Sequence, residues 1–195
     1  MKRLPRALAL VFVATSLSPA FAEKRLADIP LIYKPTETKN AGVVDLTGLT
    51  DTRIKIAPLA DNRADQKTFG VNREDATPRS VTTSSNVAGF CTQRLTEDLQ
   101  RFGFAITPET ADVVLSGEVL EFMVNEGSKY NGDVRLKMQL AKSGKVVWTG
   151  LVSGTAARWG RSYKAENYYE TISDSLLHAI QNLATDPGFA AALRK

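Results

Sequence analysis

One histidine and one cysteine are all that this chain of 195 residues contains, and each scarcity excludes chemistry. A lone Cys91 cannot close an intrachain disulfide. With one imidazole and one thiol at no useful spacing, a zinc site lacks ligands. His178 falls within a helical segment and no G-x-S-x-G motif is present, so a Ser-His-Asp or Cys-His arrangement has nothing to assemble from. Cys91 itself lies in an apolar helical stripe and reads as buried packing. Paired carboxylates are also wanting. Glu118 and Glu121 stand at an odd offset in a strand, which predicts opposite faces. Asp61, Asp65, Glu74 and Asp75 are interrupted by Arg63, Lys67 and Arg73 and lack calcium-loop spacing. There is no glycine-rich phosphate cradle and no internal repeat. The expectation is a protein without catalysis, cofactor or metal.

Two further absences concern partners. After residue 22 no apolar run approaches the roughly 20 residues needed to cross a bilayer. Before it, Lys2, Arg3 and Arg6 precede an apolar run from Ala7 to Leu17, Ser18 and Pro19 break that run, and Ala20-Phe21-Ala22 has the small-x-small form of a signal-peptidase site. Residues 1–22 therefore read as a secretory signal cleaved after Ala22. The signal holds three of the 25 basic residues and none of the 21 acidic ones, which leaves 22 against 21. A nucleic-acid ligand, which needs a surplus of cations, is not expected.

What is present is a pattern of alternating elements. Residues 23–50 read as an extended arm, with Leu31 and Tyr33 of the LIYKP run as docking side chains. Residues 51–195 read as a single α+β domain. Arg53 to Pro58 alternates as a strand. The polar segment Asp61–Thr83 is either a small edge hairpin, from Lys67–Val71 and Arg79–Thr83, or a binding loop. Ser84–Phe102 is a helix on the stripe Val87, Cys91, Leu95, Leu99, ended by Gly103. Strands follow at Val113–Asn125, Asp133–Ala141 and Lys145–Thr155, with turns at Gly127–Gly132 and Ser143-Gly144. Val146, Trp148 and Val152 share one face of the last strand. A long helix opens at Asn167, in a capping box with Glu170, and buries Ile172, Leu176, Ile180 and Leu183. Asp186-Pro187 starts a short closing helix with Phe189 and Leu193 as its apolar anchors. The order β-α-β-β-β-α predicts a mixed, mostly antiparallel sheet of about four main strands with two amphipathic helices on one face.

The runs IKIAPLADNRADQKTFG, LQRFGF, ADVVLSGEV and NYYETISDSLLHAIQNLATDPGFAAAL together resemble the YajG-type envelope lipoproteins, over roughly Leu31 to Leu193. The resemblance includes an Asp-x-Arg after the first strand, here Asp61 and Arg63, an aspartate before the closing helix, here Asp186, and the lead-in near Tyr33. It implies the outer envelope of Gram-negative bacteria and a periplasmic location. It does not carry over membrane anchoring: where those proteins have a lipidated cysteine, this chain has Ala22-Glu23.

The candidate ligand surface is Ala157–Glu170, where Arg158, Trp159, Arg161, Tyr163, Lys164, Tyr168 and Tyr169 alternate cations with aromatics. It has two readings. As a connector, it folds its rings back onto the core and lets its cations snorkel. As a surface, it offers the residue types enriched at interface hot spots. A surface implies a non-catalytic envelope adaptor with a protein partner, the Asp61–Thr83 loop with Asp61 and Arg63 being a second contact. The alternative is a module that takes a small ligand or a peptidoglycan or lipopolysaccharide glycan in a pocket between helices and sheet.

Overall fold

The structure is a computed structural model that describes residues 25–37 and 46–194. The signal at 1–22 and parts of the arm, residues 23–24 and 38–45, lie outside the described residues. In chain order the elements are β1 (Ile54–Ile56), β2 (Ala60–Asp61), β3 (Thr68–Asn72), β4 (Arg79–Thr82), α1 (Val87–Arg101), β5 (Val113–Glu126), β6 (Lys129–Lys142), β7 (Lys145–Trp159), α2 (Ala165–Ala184) and α3 (Pro187–Arg194). The class is α+β; among the described residues the sheet has seven strands where about four were expected, and the two amphipathic helices are followed by the short closing helix that the sequence predicts.

The added strands come from the polar segment. β1, β2 and β3 run end to end, parallel to β5, pairing Ile54 with Val113, Ala60 with Glu118 and Gly70 with Val124. β4 then folds back antiparallel on β3. The segment is thus the hairpin alternative, built into the main sheet, and the order is β4-β3-β5-β6-β7. Of the added strands only β2, with two residues, leaves no periodicity to read.

Alternation fixes the faces of the meander. On β6, Tyr130, Val134, Leu136, Met138 and Leu140 are fully buried, while Asn131, Arg135 and Lys137 face the other way into solvent. α2 lies across the buried face with Ile172, Leu176, Ile180 and Leu183, and α1 adds Cys91, Leu95 and Leu99 beside it. Two glycines let the helix this close. A Cβ on Gly154 would strike the Ser175 carbonyl and the Ala179 amide, and one on Gly132 would strike Ser175 Oγ. Gly132 is therefore not a turn residue: β6 starts at Lys129, and the turn is confined to Gly127 and Ser128, not Gly127–Gly132.

Three other expectations are corrected. α2 opens at Ala165 after an extended Lys164, without a side-chain cap; Asn167 donates instead to Ser162 Oγ at 2.9 Å, and Glu170 pairs with Arg158 at 2.5 Å, so there is no capping box. A bulge at Leu120 shifts the parity of β5, so Val119 and Phe122 both point inward and Glu118 and Glu121 share the outer face. A second irregularity near Ala141 leaves Val146 54% exposed instead of packed with Val152. Asp186 does cap α3, accepting from the Phe189 amide at 2.6 Å.

The described part of the arm does not form a strand. Ile29 and Leu26 exchange backbone bonds with Thr82 at 3.0 Å, closing the outer edge of β4. The chain then crosses the helical layer through side-chain bonds: Tyr33 to Asp98 of α1, Lys34 and Thr36 to Ser173 and Asp174 of α2.

Candidate functional site

The structure divides Ala157–Glu170 in two. β7 extends four residues beyond its expected end, so Arg158 and Trp159 are strand residues and alternate between its faces. Trp159 ends on the outer face, 87% exposed. Arg158 points to the helix side, where it meets Glu170 and donates to Thr36 Oγ1 at 3.3 Å. Arg161 is exposed and pairs with Glu74 at 2.9 Å, and Lys164 is exposed. Tyr163, Tyr168 and Tyr169 are buried. Tyr168 sits edge-on to Tyr130, 5.2 Å between centroids, and to Phe69 and Tyr163. The rings are core, and the tryptophan alone is surface.

What separates them is Glu126, a residue that sequence reasoning passed over. It is the last residue of β5 and fully buried. Its carboxylate accepts the Tyr168 hydroxyl at 2.6 Å and the backbone amides of Ser162 and Tyr163 at 3.1 and 2.9 Å. Burial pushes its pKa up, but the bonds from Tyr130, Tyr168, Asn72 and the Tyr163 amide outweigh that and hold it below the usual carboxylate value. Two amides caught on one carboxylate fix the turn after β7, including Tyr163 in a left-handed conformation at φ 42°. Arg79 stacks 4.3 Å over the Tyr163 ring. The signal for Glu126 was its parity: it continues the inward series Phe122, Val124, where an acid is out of place.

Asp61 and Arg63 come together, inward. Arg63 is buried and spans both carboxylate oxygens of Asp61 at 2.9 and 2.8 Å, then caps the carbonyls of Thr68 and Gln66. The Asp-x-Arg pair is a clasp for the β2–β3 connection, with four of the five N–H donors of the guanidinium used.

The exposed apolar surface lies elsewhere. Among the described residues six large hydrophobic side chains are exposed, and Val146, Val147, Leu151 and Trp159 are all on β7. Beside them the outer face is shallow: a depression of about 430 Å3 is lined by Asn125, Asn131, Asp133 and Thr155. Glu118 pairs with Lys137 at 4.0 Å and Glu121 stands opposite Arg135, so the two carboxylates belong to a charge ladder.

The remaining reactive groups are engaged or hidden. His178 Nδ1 lies 2.7 Å from the Thr155 carbonyl and Nε2 lies 2.9 Å from Glu37. Cys91 is fully buried, and burial pushes its thiol pKa far up. Among the described residues no three His, Cys, Asp or Glu side chains group as metal ligands, and no helix is long and apolar enough to cross a membrane.

The fold has solved counterparts. A DUF330 protein from Xanthomonas campestris is similar at 14% identity and TM-score 0.55, over 72% of this chain and 85% of its own. A PelC dodecamer from Paraburkholderia phytofirmans (20% identity, TM-score 0.40, 80% and 92% covered) and a lipoprotein from Neisseria meningitidis (13%, 0.36, 60% and 90%) are more distant in shape. At such identities the Xanthomonas likeness concerns the fold alone. No curated protein matches the sequence. Residues 57–194, from the loop after β1 through α3, match a family described as uncharacterized lipoprotein, which implies an envelope location and states no activity; this chain belongs to that family.

Proposed function

We propose that the protein is a non-catalytic accessory protein of the Gram-negative envelope, of the YajG type, that docks another envelope protein on the outer face of its sheet around Trp159. In this reading residues 1–22 export the chain to the periplasm and are cleaved after Ala22, and Ala22-Glu23 in place of a cysteine leaves it without a lipid. The carrying observation is the concentration of four of the six exposed large hydrophobics on one strand, ending in a tryptophan that is 87% exposed. Trp is costly to leave in water and is enriched where partners bind. The absence of catalysis is supported by the engagement of His178 and the burial of Cys91. A pocket-bound ligand is less well supported, because the rings that would line such a pocket, Tyr163, Tyr168 and Tyr169, are packed in the core.

The test is photo-crosslinking in living cells, with the probe replacing Trp159 and a control probe at exposed Gln93 on α1. A discrete crosslinked protein at 159 alone supports the reading. No protein adduct there, in a chain that is folded and exported, refutes it. A high-mass glycan smear at 159 assigns the face to an envelope polysaccharide instead.

A further inference from the structure

The two edges of the sheet are finished differently. At β4 the arm supplies backbone partners, so that edge is closed. At β7 the ladder with β6 runs from Lys145 to Trp159, and no strand among the described residues pairs with the other side. A bare edge of this length is a template for another chain, which proteins ordinarily cover or interrupt.

Here the interruption is partial. Asn182 of α2 donates to the Ser153 carbonyl at 2.7 Å, and His178 Nδ1 approaches the Thr155 carbonyl at the same distance. Both carbonyls face away from β6, and in an antiparallel ladder alternate residues share that direction. Thr149 and Leu151 therefore also turn their amides and carbonyls outward, without partners among the described residues. The helix plugs one half of the edge and leaves residues 145–151 bare, the alternation being broken once at the unpaired Val147, with Val147, Thr149 and Leu151 exposed above the backbone.

Charge selects the occupant. β7 carries Lys145 and Arg158 and no acidic residue. Lys145 stands opposite Lys142, and Leu151 opposite Lys137. A second copy paired along residues 145–151 would bring its own Lys145 and no acid, leaving Lys142 and Lys145 uncompensated, and like charges near one another weaken a strand pair. An acidic segment would neutralise them.

We propose that residues 145–151 of β7 receive an extended segment of the partner as an added strand, with apolar residues over Val147 and Leu151 and a carboxylate at the end facing Lys142 and Lys145. This rests on the docking function above and names its mode: backbone bonds give affinity and alternate side chains give selectivity. The plugs on Ser153 and Thr155 set where the added strand stops.

Leu151→Pro deletes an outward amide while sparing the ladder to β6, whereas Leu151→Ala deletes only the side chain. With the probe at 159, Leu151→Pro is expected to cut the crosslink about tenfold, and Leu151→Ala no more than about threefold. Equal losses, or none, would overturn strand addition while leaving docking intact; an absent crosslink in the parent chain would remove both. Should Leu151→Pro not fold, a synthetic heptapeptide of alternating valine and threonine, glutamate at both ends, serves with the unaltered protein. Amide exchange at Thr149 and Leu151 should slow about tenfold with this peptide and not with its lysine-ended counterpart. Unchanged exchange, protection already present without peptide, or a homodimer that Lys145→Glu strengthens would each overturn the proposal.

Discussion

Glu126 shows what a single buried charge does when its oxygens are all engaged. Replacing it by glutamine keeps the shape but turns charge-assisted bonds to Tyr168, Ser162 and Tyr163 into neutral ones and leaves an amide NH2 facing donors. Bonds to a charged group contribute roughly 1.5–3 kcal/mol, so Glu126→Gln should lose about 2 kcal/mol at pH 7. The pH dependence has a fixed sign. The folded pKa is lowered, so this contribution is present above the unfolded carboxylate value and is lost as pH falls through the folded one. Thermal melts from pH 7 down to pH 3 should show the two proteins converging in stability as the medium becomes acidic; parallel curves would deny the carboxylate its role. That Glu126 was missed in the sequence despite its parity has a plain cause. The strand was expected to end at Asn125, one residue short, so the acid fell in a supposed turn, whereas its partners lie about 40 residues further on, beyond any local signal. Trp159 was named from its type, yet its exposure follows from β7 running on past Thr155, which the small residues Ala156 and Ala157 did not announce.

At the scale of elements, the long strands and helices were legible because their stripes are strong and their neighbours are near in sequence. The α1 stripe of Val87, Cys91, Leu95 and Leu99 is buried as its spacing predicts, and the β6 alternation holds without exception. The parallel pairings of β2 and β3 with β5 were not, since they join segments more than 50 residues apart, and the two residues of β2 show no period. The arm lay between these cases: its docking residue Tyr33 was readable, its receptor Asp98 was not. Burial raises the Asp98 pKa, against the opposing Tyr33 bond and Arg101, while burial and Asp98 together hold the proton on Tyr33. The raised value means that the Asp98 contribution is fullest below the unfolded pKa and drains away as pH rises through the folded one. The Tyr33 hydroxyl, 2.5 Å from the carboxylate, opposes that drain by stabilising the charged form. Tyr33→Phe should therefore destabilise the protein by about 1–3 kcal/mol at pH 7 and by less at pH 4. Equilibrium unfolding at both pH values, with amide exchange at Lys34 reporting the arm, checks this; an equal cost at both would separate the arm from the Asp98 charge.

The whole molecule is a sheet with one face committed to folding. Helices α1 and α2 and the arm cover the inner face, where Leu136, Met138 and Val134 are fully buried. The outer face keeps a ladder of charges, Glu118 with Lys137 and Arg135 with Asp133, and a band of apolar residues along β7. If the two faces have separate duties, stability and binding separate by mutation. Leu136→Lys buries an unpaired ammonium under α2 and should prevent folding, since such groups cost several kcal/mol even after relaxation. Val147→Lys with Leu151→Lys touches only solvent-facing positions and should change stability by no more than about 0.5 kcal/mol, the usual range for surface substitutions. The same pair removes the apolar contacts and adds cations where the partner is expected to bring a carboxylate, so the Trp159 crosslink should vanish from a protein whose melting curve is unchanged. A double variant that unfolds would show the outer face to be part of the core after all; one that folds and still crosslinks fully would move the docking surface away from β7. Retained stability is what the asymmetry of this sheet predicts, because Val147 and Leu151 are exposed side chains that pack on neither helix, and loss of the crosslink alongside it is what the docking proposal predicts.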